Sequence, residues 1–365
     1  MARALLALLL ILGHLPVAAA PKRRAVPPPA AIVAPAAIVT AANQAAEAAM
    51  AAGVPAVQIA VSERGRIIYS GAFGMSDRET ATAATPRSVM QIASVTKQFT
   101  AAAILRLAER GALTLDDRIE TFVPEFNPRG ATITLRHLLT HTSGVTGLPP
   151  NQYTPLTREQ SLELINGQPL AFTPGSKYSY SNAGYRLLGY AIESISGKSF
   201  ADFVHHELAL PLGLLDTGVC GTSNLPLPEG YGVSQGKATR LPAVDTSVAF
   251  AAGALCSTAS DLARWSHLLA TGRVVLPASY ATMTTPARLA DNSVVPYGLG
   301  LFLGKQLGRP AVSHTGAITG FQSSLVYFPD REIAIAVVVN ALPAPAGAEA
   351  HGIALAVAGA ALATP

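Results

Sequence analysis

The sequence predicts a mixed α/β (α+β) fold. An antiparallel sheet built from both chain ends is flanked by helices and carries an inserted, mostly helical lobe. Strand-like segments lie towards both ends of the chain, whereas short helical segments separated by Pro and Gly turns fill its middle. The 365 residues are 50% hydrophobic, which is ample for a large core. We therefore assign residues 37–365 to one domain, with 37–112 and 286–365 as its sheet-containing part and 113–285 as the helical insertion.

The N-terminal end is predicted to precede this domain. Arg3 gives a positive start, Ala4–Leu12 forms an apolar run, and Val17-Ala18-Ala19 is a small-residue cleavage region. These are the features of a secretory signal over residues 1–19. Residues 20–36, rich in Pro and Ala, are expected to form a flexible or extended leader. We therefore expect an exported protein, periplasmic or secreted, with a membrane tether only if the signal is uncleaved.

Local patterns predict the elements of the domain. An Ala-rich helix is expected over residues 38–52, followed by a hairpin with strands Ala56–Ser62 and Ile67–Phe73. Another helix begins at or just after Ser94. The helices predicted in the insertion are Leu135–Leu139, Arg158–Ile165, Ala183–Ile195, Phe200–Leu208 and Ser260–Leu269. The predicted C-terminal elements are the strands Gly298–Phe302, Ala311–His314, Phe321–Phe328 and Ile333–Asn340, and the helix Ala346–Ala361.

The charge of the domain excludes one class of partner. Of the 26 basic residues, Arg3, Lys22, Arg23 and Arg24 lie before residue 37, so 22 basic residues remain against 22 acidic ones. A neutral domain lacks the clustered positive charge that nucleic-acid binding requires. We therefore expect no nucleic-acid partner.

The chain has two cysteines, Cys220 and Cys256. In an exported protein they could form a disulfide, but two unpaired core cysteines fit the sequence about equally well. Their spacing indicates no metal site. His137 and His141 lie four residues apart, but the pattern lacks an intervening Glu and a third ligand, so we expect a packing role rather than zinc binding.

The stretch Ser94-Val95-Thr96-Lys97 is the centre of the predicted chemistry. On a helix, Ser94 and Lys97 share one face, about one turn apart. The positive end of the helix dipole favours the negative charge that develops on a reacting serine. A lysine among Ala, Ile and Leu side chains is partly desolvated, which lowers its pKa. The pair suits a nucleophile and its proton-transfer partner, although most single Ser-x-x-Lys matches are a helix cap and a surface lysine.

Two further stretches supply polar groups. In Tyr180-Ser181-Asn182, the tyrosine can move a proton if a nearby cation stabilises its phenolate, and the asparagine can grip a substrate amide. In His314-Thr315-Gly316, the glycine lets a backbone approach a ligand closely, and neighbouring N–H groups could bind an oxyanion. Taken alone, these residues also fit a core aromatic, a helix cap and an ordinary strand-end histidine.

Together and in this order, the three stretches resemble the boxes of the penicillin-recognising serine hydrolases. That family comprises class C β-lactamases, serine D,D-peptidases and related esterases and D-aminopeptidases, and its boxes are Ser-x-x-Lys, Tyr-x-Asn and Lys/His-Thr-Gly. Leu138-Leu139-Thr140-His141-Thr142-Ser143-Gly144 and Tyr297-Gly298-Leu299-Gly300 also resemble the family. The resemblance covers residues from about 40 to 355 and implies a β-lactamase/transpeptidase-like fold.

The resemblance implies a role for each residue and no cofactor or metal. Ser94 would attack a carbonyl and form an acyl-enzyme. Lys97 and Tyr180 would manage its proton, with Tyr180 the expected general base. The N–H groups of Ser94 and Ala317 would form an oxyanion hole, and His314 would hydrogen-bond to Tyr180 or to a substrate carboxylate. The implied substrate-binding residues are Asn182, His314, Thr315, Gly316 and Ala317.

One departure bears on the substrate. The third box begins with His314 where class C β-lactamases have lysine, and the charge of a histidine changes with pH near neutrality. This form resembles D,D-peptidases, D-aminopeptidases and esterases, so efficient β-lactam hydrolysis is less expected. The prediction is an exported serine hydrolase for a D-amino-acid peptide, a short ester or a β-lactam. The alternative is a catalytically idle ectodomain of the same fold that binds peptidoglycan or a partner; the sequence leaves the oligomeric state open.

Overall fold

The computed structural model describes residues 34–147, 149, 151–222 and 225–363. The predicted secretory signal and most of the predicted leader lie outside these residues, so export, signal cleavage and a membrane tether remain predictions. Across the described ranges, no helix combines the length and the apolar character needed to cross a membrane.

The elements follow the predicted order along the chain. The N-terminal part contains α1 (Ala36–Ala51), β1 (Ala56–Glu63), β2 (Arg66–Asp77), β3 (Thr82–Ala83), β4 (Met90–Gln91) and α2 (Thr96–Glu109). The middle contains α3 (Leu135–Leu139), α4 (Arg158–Asn166), α5 (Asn182–Ser196), α6 (Phe200–Phe203), β5 (Gly218–Val219), β6 (Tyr231–Ser234), β7 (Lys237–Arg240), α7 (Thr246–Gly253), β8 (Leu255–Ser257), α8 (Ala259–Ala270) and α9 (Pro277–Met283). The C-terminal part contains β9 (Ala287–Arg288), β10 (Val294–Val295), β11 (Phe302–Gln306), β12 (Arg309–Ile318), β13 (Phe321–Phe328), β14 (Ile333–Val339) and α10 (Ala350–Ala363).

Seven strands form one antiparallel sheet in the order β11-β12-β13-β14-β1-β2-β3. β14 pairs with β1, with Ala336 opposite Ala60, so strands from the two ends of the domain are neighbours. Asn340, just after β14, accepts a hydrogen bond of 2.7 Å through Oδ1 from the N–H of Ala56. The predicted antiparallel sheet built from both chain ends is therefore confirmed.

The two faces of this sheet bury different side chains because successive residues of a strand point in opposite directions. Ile335 and Val337 of β14 lie on the face that packs against α1 and α10, which we call the aliphatic face. Ala336 lies on the opposite face, which packs against α8. On that side, Ser62 Oγ donates to Ala263 O at 3.0 Å, and we call it the polar face.

The middle of the chain is mostly helical and also contributes to the packing of the sheet. Helix α8 lies within the predicted insertion yet packs against β1, β2 and β14, and the boundaries chosen for the insertion remain a prediction. The short strands β4, β8 and β5 form a separate three-stranded sheet. Cys220 and Cys256 are joined by a disulfide with an S–S distance of 2.04 Å, which decides between the two alternatives left open by the sequence.

Two predicted elements differ from the structure. The predicted strand Gly298–Phe302 is wrong, because β11 begins at Phe302 and the preceding residues form a turn in which Gly298 N–H donates to Leu301 O at 2.8 Å. Gly300 in this turn has a φ of +73°, and a Cβ there would lie 2.7 Å from Lys97 O. The turn therefore packs against α2. The predicted helix Phe200–Leu208 is divided into α6 and a π-helical segment, Val204–Ala209.

Candidate active site

Ser94 lies in a 3₁₀ turn, Ala93–Val95, directly before α2. Ala93 has a φ of +47°, which a residue with a Cβ rarely adopts, so the chain bends sharply as it enters the turn. The carbonyl of Ile92 accepts a hydrogen bond of 2.7 Å from Ser323 Oγ of β13. The sheet and α2 together hold Ser94 at the wall of a cavity.

Lys97 lies one turn later, in α2, and is completely buried. Its Nζ lies within hydrogen-bond distance of Asn182 Oδ1 and Ala252 O, each at 2.8 Å, and of Ser94 Oγ at 3.2 Å. None of these partners is a carboxylate, and burial lowers the pKa of Lys97 well below its usual value. Burial therefore shifts the balance from the ammonium ion towards the uncharged amine.

An uncharged Lys97 permits one arrangement of hydrogens. An amine has two N–H groups and one lone pair, whereas Asn182 Oδ1 and Ala252 O can only accept. The two N–H groups therefore go to these oxygens. The lone pair faces Ser94 Oγ, the one partner of the three that carries a proton to donate. In this uncharged form, the geometry directs the proton of Ser94 towards Lys97.

Ala252 O reaches Lys97 because the backbone is unusual two residues earlier. Phe250 has φ +40° and ψ −138°, which are non-helical values inside α7. Gly189 of α5 leaves room for this residue, since a Cβ there would lie 2.5 Å from the Phe250 ring. The neighbouring Ala251 O accepts from Thr100 Oγ1 of α2 at 2.7 Å. Two successive carbonyls of α7 therefore accept hydrogen bonds from α2.

Asn182 is the first residue of α5, and Ser181 caps that helix by accepting from Gly184 N–H at 3.0 Å. The side-chain oxygen of Asn182, Oδ1, accepts a hydrogen bond from Lys97 Nζ. Asn182 is an exposed residue, and no acceptor among the described residues is hydrogen-bonded to its Nδ2. The sequence predicts that Asn182 offers a substrate both a donor and an acceptor. In the structure only the Nδ2 donor is available, because Oδ1 already accepts from Lys97.

The ring of Tyr180 lies beside Lys97, with Nζ 4.7 Å from the ring centroid. Tyr180 as a whole is 38% exposed, yet the protein packed around it raises the pKa of its hydroxyl, and a hydrogen bond with Ser94 offsets part of that rise. A neutral phenol can donate a proton but is a poor base near neutrality. The directions of these two pKa shifts favour Lys97 over Tyr180 as the acceptor of the Ser94 proton.

Three buried side chains, His141, Tyr297 and His314, form a hydrogen-bonded chain. Ser181 N–H donates to His141 Nδ1 at 3.0 Å, so the hydrogen of a neutral His141 is on Nε2, 3.3 Å from Tyr297 Oη. Tyr297 Oη lies 3.0 Å from His314 Nε2, and His314 Nδ1 donates to Thr315 O at 2.7 Å. Burial lowers the pKa of both histidines, to about 3 for His314. Both rings are therefore neutral near pH 7. His141 Nε2 donates its hydrogen to Tyr297 Oη, and the Tyr297 hydroxyl donates to His314 Nε2.

The structure corrects the role expected of His314. It is 1% exposed, and both of its ring nitrogens are engaged, by Tyr297 and by the Thr315 carbonyl. It can therefore bind neither Tyr180, whose ring centroid is 6.2 Å away, nor a substrate carboxylate. With a pKa of about 3, it also does not change charge near neutral pH.

The structure also corrects the role expected of Gly316. A Cβ at this position would lie 2.2 Å from Ile92 O and 2.3 Å from Ser323 Oγ. The glycine therefore lets β12 approach the turn that carries Ser94, rather than letting the backbone approach a ligand.

Sequence analysis missed the contribution of His141 and Tyr297. The sequence predicts only a packing role for His141, and Tyr297 stands out only as part of the stretch Tyr297-Gly298-Leu299-Gly300 that resembles the family. The ring centroids of His141 and Tyr180 are 4.2 Å apart, so His141 supports the predicted catalytic tyrosine and the backbone after it. The one available signal was that both residues lie in stretches that resemble the family.

Two cavities meet at Asn182. The Ser94 cavity, of about 480 Å³, is lined by Ser94, Asn182 and Ala317 among others. The Tyr180 cavity, of about 380 Å³, is lined by Tyr180 and Asn182 among others. The structure thus brings these predicted site residues together. Thr315 is exposed on β12 and is not among the described residues that line either cavity.

Known proteins resemble this chain in sequence. Penicillin-binding protein 4* of Bacillus subtilis (strain 168) is 28% identical over 75% of this chain and 65% of its own length. The D-aminopeptidase of Gluconobacter oxydans (strain 621H) is 25% identical over 83% of this chain and 59% of its own length. The chain therefore spans less than two thirds of either relative.

A solved structure extends the comparison to three dimensions. The D-stereospecific amidohydrolase from Streptomyces sp. superimposes with a TM-score of 0.72 at 27% identity, covering 86% of this chain and 96% of that one. The predicted fold class is confirmed by this likeness. Residues 42–360 match the family model described as Beta-lactamase. Because that match extends over most of the chain, the protein belongs to the beta-lactamase family of serine hydrolases.

Proposed function

We propose that this protein is an exported serine hydrolase that cleaves an amide or an ester through an acyl-enzyme on Ser94. The observation that carries the proposal is the position of Ser94 Oγ, 3.2 Å from the buried Nζ of Lys97. The two other partners of that Nζ can only accept hydrogens. The names of the similar proteins, a penicillin-binding protein, a D-aminopeptidase and a D-stereospecific amidohydrolase, support acyl transfer on amides.

The proposed reaction begins when Ser94 Oγ attacks the substrate carbonyl and its proton passes to Lys97. The N–H groups of Ser94 and Ala317 stabilise the oxyanion, while Asn182 Nδ2 donates to the substrate amide. Tyr180 donates its phenolic proton to the leaving group as the scissile bond breaks, and the proton on Lys97 replaces it. Water then attacks the acyl-enzyme, the acid leaves, and Ser94 regains its proton.

A fluorophosphonate probe with intact-mass detection tests the nucleophile. The native protein should gain one phosphonyl adduct, and Ser94→Ala should gain none. Absence of label on the native protein, or equal labelling of the variant, would reject the proposal. Circular dichroism of both proteins shows whether the variant is folded, so that a lost adduct can be attributed to the missing hydroxyl.

The roles of Lys97 and Tyr180 are separated by the leaving group. A p-nitrophenyl ester releases a phenolate that needs no proton, whereas a p-nitroanilide releases an amine that does. Tyr180→Phe should lose about 10²-fold or more in kcat/KM on the anilide and little on the ester. A large loss on both substrates would instead make Tyr180 the base. Tyr178→Phe is the matched control, since its ring also packs against His141.

The substrate class and the compartment need separate tests. A D-alanyl-D-alanine peptide, a D-amino-acid amide, p-nitrophenyl butyrate and nitrocefin represent the classes that the relatives and the sequence suggest. The substrate with the highest kcat/KM identifies the class. Export is tested by N-terminal sequencing of protein from the periplasm and the medium. Recovery of full-length chain in the cytoplasm alone would reject export.

A further inference from the structure

Arg186 lies one helical turn after Asn182 on α5, so the two side chains share a face of the helix. Arg186 is only 2% exposed, yet it lines the Ser94 cavity together with Ser94 and Asn182. A guanidinium that is almost wholly buried therefore borders the space in which a substrate would bind.

Neutral acceptors hold this guanidinium. Its Nε donates to Ser161 Oγ at 2.8 Å, and Nη2 donates to Tyr190 Oη at 3.2 Å. Nη1 donates to Ser247 O at 2.9 Å and also to Val248 O. Of the five N–H groups of an arginine, one on Nη2 has no acceptor among the described residues.

No carboxylate balances the charge of Arg186 in the described part of the chain. Its acceptors are hydroxyl and carbonyl oxygens, and none of the described residues that line the Ser94 cavity is Asp or Glu. By contrast, the more exposed Arg136 pairs with Asp116 at 2.8 Å. A buried charge without an opposite charge is strongly unfavourable. A ligand that supplies a negative charge would offset part of this penalty.

We propose that Arg186 makes the Ser94 cavity select acyl groups that carry a carboxylate and reject those that carry an ammonium group. This inference rests on the proposed acyl transfer at Ser94 and names its substrate class. In this proposal, Asn182 binds the acyl chain close to the scissile bond. Arg186 lies one turn further along α5 and binds a carboxylate on the acyl chain that is farther from the scissile bond. The free amine of an aminopeptidase substrate brings a second positive charge to this wall and is disfavoured.

Three p-nitrophenyl esters test the charge preference with one leaving group. They are the pentanoate, which is neutral, the hydrogen glutarate, which carries a carboxylate, and the 4-(trimethylammonio)butanoate, which is cationic. In the native protein, kcat/KM for the glutarate should exceed that for the pentanoate by about tenfold or more, and the cationic ester should be slowest. An equal rate for all three, or a preference for the cation, would overturn the inference.

Two variants assign the preference to Arg186. Arg186→Met should reduce the glutarate-to-pentanoate ratio to about one, and Arg186→Lys, which keeps the charge without the fork, should retain part of it. Arg158→Met is the matched control, because that guanidinium also lies against Tyr190, 4.9 Å from the ring centroid, but is not among the cavity-lining residues. A native-like ratio in Arg186→Met would assign the preference to another group.

A binding measurement separates this inference from the proposed function. Thermal unfolding of the native protein is followed with millimolar pentanamide, glutaramate or 4-(trimethylammonio)butanamide. Glutaramate should raise the midpoint most, even if the fluorophosphonate probe fails to label Ser94. Labelling of Ser94 without any advantage for glutaramate or the glutarate ester would reject the role of Arg186 and leave the acyl transfer standing.

Discussion

The two faces of the central sheet differ in the side chains that they bury. On the aliphatic face, Val57 and Ile59 of β1 join Ile335 and Val337 of β14 beneath α1 and α10. On the polar face, Gln58 of the same strand β1 is buried and hydrogen-bonded at both ends. Its Nε2 donates to the carbonyls of Thr85 and Ser88, each at 2.6 Å, and its Oε1 accepts from Ala259 N–H at 3.2 Å.

This difference shows which parts of the molecule fix the positions of their side chains most strictly. Aliphatic contacts have no direction, and a core of this kind accepts exchanges that conserve volume. Hydrogen-bonded polar groups fix both the distance and the angle of their partners. The turn that carries Ser94 is tied to the sheet by Ser323, a buried residue of β13 that donates to Ile92 O. We therefore expect changes near that turn to affect chemistry, and changes on the aliphatic face to affect stability alone.

The largest expected effect is a loss of catalytic activity without a loss of stability. Lys97→Met removes the proposed proton acceptor but keeps an unbranched apolar side chain in its buried site. We expect kcat/KM for p-nitrophenyl butyrate to fall by about 10³-fold, the range of a lost general base. The midpoint of thermal unfolding should stay close to that of the native protein, because the variant no longer buries an amine. A loss of less than tenfold would contradict the assignment of Lys97.

The next effect tests the close packing between β12 and the Ser94 turn. Gly316→Ala places a methyl group 2.2 Å from Ile92 O, which backbone atoms cannot tolerate without moving. Overpacking of this kind costs about 3 kcal/mol of unfolding free energy. We expect probe labelling to fall as well, since the displaced backbone holds Ser94. Urea unfolding and intact mass measure the two effects.

Gly304→Ala is the matched control for that prediction. Gly304 lies in the neighbouring strand β11, and a Cβ there would have no atom within 4 Å. Its unfolding free energy and its labelling should match those of the native protein. Equal destabilisation by both substitutions would show that the contact with Ile92 is not the cause.

Low pH should reduce the contribution of His141 and His314 to the free energy of unfolding, without changing the contribution of the aliphatic face. The folded pKa of His314 is about 3, well below the usual value of 6.5, so below pH 6.5 the unfolded chain binds a proton that the folded chain does not. The stabilising contribution is complete above pH 6.5 and falls by about 1.4 kcal/mol per pH unit as the pH drops towards 3. His141, with its pKa lowered in the same direction, adds to the effect.

Urea unfolding at pH 7.5 and pH 5.5 measures this dependence, in a window above the range in which most carboxyl groups titrate. A free energy of unfolding that is unchanged or higher at pH 5.5 would contradict neutral, buried His141 and His314. Replacement of the exposed His206 by Gln is the control and should leave the dependence unchanged.

The smallest expected effect concerns the aliphatic face. Ala354 of α10 is completely buried, and Ala354→Gly should cost about 1 kcal/mol of unfolding free energy through lost helix propensity. Gly352→Ala in the same helix is the converse control, because a Cβ there meets no atom within 4 Å, and it should stabilise by a similar amount. Neither variant should change kcat/KM. A large change in kcat/KM would show that the two faces are coupled.

Much of the fold could be predicted because its signals are local. Strand β13 was predicted with the bounds that the structure has, and the Ala-rich helix and the hairpin were placed within a few residues. The turn before β11 was missed because its cause is tertiary. The close approach of Gly300 to Lys97 O joins positions that are distant in the sequence.

The candidate site was predicted in part for the same reason. The three boxes drew attention to Ser94, Lys97 and Asn182, and the structure brings these residues into contact. The hydrogen bond between His141 and Tyr297 spans 156 positions and leaves no periodic pattern. Arg186 gave no signal either, since it lies between apolar helix positions and its burial depends on α4 and α7.

The contacts of Lys97 also have a kinetic consequence. This side chain meets partners that lie 85 and 155 positions later in the chain, so two long loops must close before the amine is held in place. Closing long loops costs conformational entropy before the contacts are made, so contacts of such sequence separation form slowly. The recovery of fluorophosphonate labelling during refolding should therefore trail the recovery of helical circular dichroism. The rate at which labelling recovers therefore reports how fast the contacts of Lys97 form during refolding.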